Sequence, residues 1–419
     1  MLVNRRHVLR NLSALAAAPL PLAWAADTVR IGYVSPQTGP LAAFGEADKW
    51  VIQQMRAAFA NGIVINGKRH AVDIVLRDSE SSPARASAVA QELIRRDTVL
   101  LMLTAGTPET ANPVSQACEA ESVPCISSVV PWQAWFYGRK GDPARGFDWT
   151  YHMFWGLEDV FASFLFGWLA APTNRKVGGL FPDDGDGQAW GDKERGFPKP
   201  MAGVGFSLTD PGRYANGTQD FSQQIAAFKR DGCEIVTGVM IPPDARTFLI
   251  QARAQNFRPK IITLGKALLF PSTIEALGEL GEGLSTEVWW SPSHPFSSSL
   301  TRQSARELVN AYEAHTQRQW TQPIGFTHAL FEVAADALQR AHSATRASVR
   351  DAVASTNAST IVGPVRWSSS GSGRTRNISR TPLVLGQWVK GTKYRNDLRI
   401  VSNVASPRIA VSGQLRLLA

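Results

Sequence analysis

Short apolar runs, separated by turn residues and amphipathic stretches, recur along the chain and predict strands alternating with helices. Val29–Val34 has strand length, Ser35–Gly39 supplies turn residues, and a helix-forming pattern begins near Phe44. In Glu46–Ala60, Trp50, Val51, Met55, Ala58 and Phe59 fall near helical spacing, and Asn61-Gly62 stops the helix. Asn66-Gly67 marks a tight hairpin turn, and Val72, Ile74 and Leu76 then alternate with the period of a strand. Ser82 suits an N-cap and Pro83 the first helical position of Pro83–Arg96. Strand Val99–Leu103, loop Thr104–Pro108, helix Glu109–Glu121 and strand Val123–Ser127 follow. Apolar strands in a βαβαβ order imply a parallel sheet covered on both faces, an α/β fold.

Residues 128–149 break this rhythm with Gly, Pro, charge and a cluster of aromatics, Trp132, Trp135, Phe136 and Tyr137. They read as a long loop into a second lobe, which begins with strand Tyr151–Phe154, helix Glu158–Ala170 and strand Val177–Phe181. Helix–strand pairs Phe221–Arg230 with Ile235–Val239, and Ala245–Asn256 with Ile261–Leu264, continue it. Helices Thr301–Gln317 and Thr327–Ala341 come later.

At 419 residues the chain exceeds one ordinary core, and 44% hydrophobic with 19% charged residues is a soluble globular composition. The N-terminus has Arg5, Arg6 and Arg10 before the apolar segment Leu12–Trp24 and the small-residue pattern Ala23-Trp24-Ala25. This is the form of a secretory signal over residues 1–25, with twin-arginine character and cleavage expected before Ala26. Removing those three arginines lowers the net charge from +9 to +6. The basic residues are scattered rather than run together, which argues against a nucleic-acid partner. No later apolar run reaches the ~20 residues of a membrane span. Cys118, Cys125 and Cys233 match no zinc spacing; Cys118 and Cys125 leave open a disulfide or two buried thiols.

No G-x-S-x-G, H-E-x-x-H, P-loop or G-x-G-x-x-G after a strand occurs, so catalytic signatures are lacking. Asp183-Asp184-Gly185-Asp186-Gly187 imitates a calcium loop, but Gln188 and Arg195 stand where ligands belong. It reads as a solvated turn at a strand's carboxyl end, from which Asp186 is a candidate to face a cleft. Thirteen tryptophans against six tyrosines is unusual, and Trp132, Trp135, Trp155, Trp190, Trp289 and Trp290 fall at strand ends or in loops. Together they favour a flat or apolar ligand held on aromatic faces, against the plainer reading of core residues.

Ile31, Gly32, Pro36, Thr38, Gly39, Pro40, Ala42 and Gly45 match the opening I-x-I-G-x-x-x-P-x-T-G-x-x-A-x-x-G of a known family. The chain there resembles periplasmic binding proteins of the leucine/isoleucine/valine type. The similarity continues through Asp78 with Pro83-Ala84 and Ala88, Val123-Pro124-Cys125-Ile126-Ser127, Asp220-Phe221, Asp231-Gly232, Gln251-Ala252, Glu282-Gly283 and Thr360–Trp367. It runs from about Val29 to about Trp388 and leaves Arg399–Ala419 without a counterpart.

The resemblance implies two Rossmann-like lobes with parallel sheets joined by a three-strand hinge, the type I periplasmic binding fold. Residues 26–149 with 288–361 would form one lobe and 150–287 with 362–419 the other, with crossings near Trp149, Glu287 and Val362. It implies a monomer in the periplasm, without cofactor or catalysis, that captures a small solute for an inner-membrane ABC permease; a ligand sensor of the same fold is the alternative. The family's contacts fall on Phe44, on Ala105, Gly106 and Thr107, and on Ser128, Val129 and Val130 with Trp132 just beyond. Trp155 and Trp289 add aromatic surface. Asp186 stands where the family often has an aromatic residue. Gly265 or Lys266 stands where amino-acid binders carry the acid that grips an ammonium. A lysine there repels an ammonium and attracts a carboxylate, unless Lys266 points to water. An aromatic or branched aliphatic carboxylate is therefore the expected ligand, ahead of a free α-amino acid.

Overall fold

The computed structural model describes residues 27–367 and 375–418. The signal sequence expected over residues 1–25 lies outside them. The first strands are β1 (Thr28–Ser35), β2 (Ile63–Ile65), β3 (Lys68–Asp78), β4 (Leu101–Ala105), β5 (Cys125–Ser128) and β6 (Thr150–Met153). The hairpin between β2 and β3 turns on Asn66 and Gly67, both at positive φ, as an Asn-Gly pair favours. Ser82 caps helix Pro83–Arg95, accepting from the Arg85 N–H at 3.3 Å. Next come β7 (Lys176–Leu180), β8 (Ser207–Thr209), β9 (Ile235–Met240), β10 (Ile261–Lys266) and β11 (Ser285–Val288). The hairpin β12 (Asn357–Thr360) and β13 (Gly363–Arg366), then β14 (Ile378–Ser379), β15 (Val384–Lys390) and β16 (Asn396–Ser402), complete the strands.

All strands but β12 and β13, which pair only with each other, form two seven-stranded sheets, ordered β14-β6-β5-β4-β1-β3-β2 and β16-β15-β11-β10-β9-β7-β8. Pairing is parallel except at β2 on one edge and at β15 and β16 on the other sheet. This is the two-lobed α/β fold expected. In the first sheet the chain leaves β1 to build β3 on one side and β4 on the other; in the second it leaves β7 for β8 and β9 in the same way. Ligands bind at such switch points, outside the carboxyl ends of the strands. Buried side chains of both lobes, such as Ile31 and Leu103 with Phe181 and Val239, belong to one continuous apolar cluster.

The crossings fall later than the sequence suggests. Thr150–Met153 pairs with β5 and stays in the first lobe, so the chain crosses through Phe154–Gly156, not near Trp149. The expected strand Thr360–Trp367 does not cross at Val362. It turns back as the β12–β13 hairpin, and β14 still pairs with β6, so the third crossing lies between Ser379 and Val384. A strand's apolar pattern shows that it is buried but not which sheet buries it. The three cysteines are free and buried, the thiol reading rather than the disulfide. Among the described residues no helix is long and apolar enough to cross a membrane.

Candidate functional site

The carboxyl ends of both sheets meet over one buried cavity. Phe44, Thr107, Val129 and Pro131 line it from the first lobe, and Asp186, Trp190, Val239, Lys266, Leu269 and Glu287 from the second. Phe154, Trp155 and Trp289, from two of the crossing segments, close its side. The space is ≈ 20 Å³, where a single water needs about 10–15 Å³. The lobes are thus shut on a gap that a larger solute would enter only as they part.

The first lobe's wall is fixed by loop chemistry. Asp78 accepts from the Gln37 N–H at 2.8 Å and the Thr38 hydroxyl at 2.7 Å, pinning the loop after β1. That loop ends in the short turn Ala42–Gly45, which carries Phe44 edge-on against Phe270 of the other lobe at 4.8 Å. Thr107 begins helix Pro108–Ala120 without capping it, and its hydroxyl is buried without a partner. Val129 sits at φ +70°, a costly conformation for a β-branched residue.

The second lobe's wall is charged. Asp184 caps the turn Gly185–Trp190, accepting from the Gly187 N–H at 2.8 Å, and its other oxygen accepts from Asn216 at 2.8 Å. Lys266, only 4% exposed, places its ammonium 2.9 Å from Asp186 Oδ2 and 3.1 Å from Asp184 Oδ2. Glu109 reaches over from the first lobe, 3.8 Å from the same ammonium, and accepts from the Gly185 N–H at 3.0 Å. Lys266 has φ +65° and ψ −61°, a strain of about 1–3 kcal/mol for a residue with a side chain. Both walls therefore hold a strained residue at a strand's end.

Burial pushes Asp186 up to about 7 against the pull of Lys266, with the nearby carboxylates of Glu109 and Asp184 adding to the rise; its second oxygen has no partner. Burial also pushes Glu287 up to about 7, although it accepts from the Lys266 N–H and the Thr286 hydroxyl. Burial raises Asp184 too, but Lys266, Gly187 and Asn216 outweigh it, and its carboxyl lies below the usual range. Lys266 is drawn down by burial and lifted further by Asp186, Asp184 and Glu109, so it stays charged. The sequence offered Lys266 as a free cation or as a residue facing water; it is neither, because three carboxylates already surround it. Asp186 does not sit on a solvated turn either, since it is 4% exposed.

The tryptophans divide by location. Trp135, Trp168, Trp290, Trp367 and Trp388 each donate to a protein acceptor: Ser115, Thr263, Ile361, Val353 and Leu268. The three on the cavity wall, Trp155, Trp190 and Trp289, have buried indole N–H groups with no acceptor; away from it, Trp50 shares that state. An indole N–H only donates, and a buried donor left unpaired costs about 1–3 kcal/mol. With Thr107 Oγ1 and Asp186 Oδ1, five polar groups on lining residues lack partners.

Of the residues expected from the sequence, the cavity gathers Phe44, Thr107, Val129, Trp155, Asp186, Lys266 and Trp289. It leaves out five. Ala105 ends β4 in the core, and Gly106 packs against Thr110 and Pro36. Ser128 donates to the Met153 carbonyl at 2.6 Å, tying β5 to β6, and the Val130 carbonyl meets His152 at 2.7 Å. Trp132 donates to Glu158 at 3.0 Å. Sequence reasoning missed Glu287, Phe154, Pro131, Val239 and Leu269, and it noted Trp190 only as one of several tryptophans. The signal available for Glu287 was an acid just before the apolar run Val288-Trp289-Trp290. Among the described residues no group of His, Cys, Asp and Glu is placed to hold a metal.

Two doubly wound lobes, joined by three crossing segments and closed on a cavity at both switch points, define the type I periplasmic binding fold. The chain belongs to the periplasmic binding protein family, whose sequence model matches residues 28–393. It is similar in structure to the leucine-binding protein LivK of Thermotoga maritima, with TM-score 0.70 and 21% identity over 90% of this chain and 99% of that one. It is also similar to LivJ of Streptococcus pneumoniae, solved with isoleucine, with TM-score 0.70 and 16% identity over 90% of this chain and 100% of that one. A solute-binding protein of R. palustris, solved with 4-hydroxybenzoate, matches with TM-score 0.70 and 17% identity over 90% of this chain and 96% of that one.

Proposed function

We propose that this protein captures a small organic acid between its lobes in the periplasm and passes it unaltered, as a monomer, to an inner-membrane ABC permease. The solute is an aromatic or branched aliphatic carboxylate. The observation that carries this reading is the set of three partnerless indole N–H groups with the Thr107 hydroxyl on the cavity wall. A flat acid offers oxygen acceptors to those donors and an apolar face to Phe44, Phe154 and the indole rings. The signal-like N-terminus and the family support the periplasmic setting. The R. palustris relative, crystallised with 4-hydroxybenzoate, supports an aromatic acid.

A solute favours closure through its extra affinity for the shut form, in addition to the contacts of Glu109 with Lys266 and the Gly185 N–H. Lys266 does not supply that affinity as a free cation, because its charge is matched. Asp186 and Glu287, each near 7, are able to take up protons as an anion enters. Thermal-shift measurements with benzoate, 4-hydroxybenzoate, branched aliphatic acids, leucine and valine test the reading. Stabilisation by one of the acids is expected, and stabilisation by leucine as strong as by any acid overturns it.

A further inference from the structure

Lys266 fills part of the cleft that a ligand would otherwise occupy. Its ammonium lies 2.9, 3.1 and 3.8 Å from carboxylate oxygens of Asp186, Asp184 and Glu109. Those acids come from both lobes, so the cage is complete only when the lobes are shut. Glu109 Oε2 meets only the Lys266 ammonium, and Asp186 Oδ1 is buried and accepts no hydrogen bond, so a mobile ammonium would find acceptors here once the tethered one is gone. Three carboxylates around one point are a receptor for an ammonium of any origin. Here the ammonium is tethered to the wall through a backbone conformation that favours glycine, φ +65°.

We propose that Lys266 is the specificity-determining residue of the cleft, its ammonium standing permanently in a cation subsite so that solutes bearing a primary ammonium, α-amino acids included, are shut out. This rests on the organic-acid reading above and narrows it: the transported solute carries no amine. A free amino acid would have to place a second ammonium beside the first or displace a charge that is covalently held.

Lys266→Gly tests it, since glycine suits the positive φ and the substitution deletes a butylammonium equivalent. Millimolar n-butylamine is expected to raise the thermal midpoint of Lys266→Gly by a few degrees, at constant ionic strength against a sodium chloride control. It should leave wild type unmoved, and also Lys266→Met, whose chain fills the space without charge. Adding Asp186→Asn to Lys266→Gly should shrink the rise. If Lys266→Gly does not accumulate folded, Lys266→Ala with n-propylamine asks the same question. A folded variant that gains nothing from the amine overturns the proposal, as does wild type that is stabilised by α-amino acids. Amine rescue without any acid binding to wild type would defeat the organic-acid reading alone; acid binding without rescue would defeat the cage alone.

Discussion

The two walls of the cleft are built from equivalent strand ends but carry different chemistry. The first lobe presents Phe44, Thr107, Val129 and Pro131, uncharged and held by loop hydrogen bonds; only Glu109 brings charge, and it reaches over to the second lobe. The second lobe presents Asp184, Asp186, Lys266 and Glu287, two of them titrating near neutrality. The difference assigns shape and hydrogen bonding to one side, and charge with its pH dependence to the other. Glu109 joins the two, since it meets Lys266 and the Gly185 N–H only when the lobes are closed.

The largest expected effect lies on the charged wall. Lys266→Met removes the cation and leaves buried carboxylates facing one another, a loss of about 3–5 kcal/mol at pH 8. The loss should be smaller at pH 5.5, where Asp186 accepts a proton; urea unfolding at the two pH values measures it. An equal loss at both would mean that the carboxylates do not feel each other.

Next come the donors. Trp155→Phe, Trp190→Phe and Trp289→Phe, with Thr107→Val on the uncharged wall, should each weaken solute binding about tenfold, about 1.4 kcal/mol. The stability of the empty protein should hold or rise, because each change removes a buried donor that has no partner. Calorimetric titration paired with thermal unfolding gives both signs, and a variant that loses stability but keeps affinity would return that indole to a structural role.

Acidity provides a gentler contrast. Asp186 and Glu287 have folded-state values near 7, above the usual carboxylate range of about 4. The folded protein thus binds more protons than the unfolded one between these values. The stability they lend is present at low pH and lost as pH rises through 7. Affinity for an organic anion should fall over the same rise, from pH 6 to pH 8, as titrations at the two values would show. Affinity that grows with pH would place the anion's charge away from this wall. The smallest effect is expected from Trp132→Phe, whose indole meets Glu158 outside the cavity; solute affinity should stay unchanged within error.

Much of the fold was legible because its signals are local. The Asn66-Gly67 turn, the Ser82 cap with Pro83 and the apolar runs of β1, β4 and β9 are each fixed by neighbouring residues. The candidate site was legible in part. Phe44, Thr107, Val129 and Lys266 were reachable through the family resemblance, Asp186 through its turn at a strand's carboxyl end, and Trp155 and Trp289 through the placing of tryptophans at strand ends and in loops. Glu287 was not, since an acid in the short polar strand Ser285–Val288 is placed only by the neighbours that bury it. Ser128 and Trp132 were misplaced for the converse reason: their polar groups are satisfied by Met153 and Glu158, partners distant in sequence.

The sequence by itself determined the alternation of apolar strands and amphipathic helices, the turns that end those strands and the residue types gathered at their ends, while the two-lobe arrangement came from the family resemblance. Periodicity and turn chemistry act over a few residues and need no partner. The tertiary structure alone decided where the chain crosses between lobes, and that Lys266 stands among three carboxylates rather than free. It also decided which tryptophans keep an unpaired N–H. Each of these depends on which groups from far along the chain meet in a desolvated space, where burial and pairing set the charge and the cost.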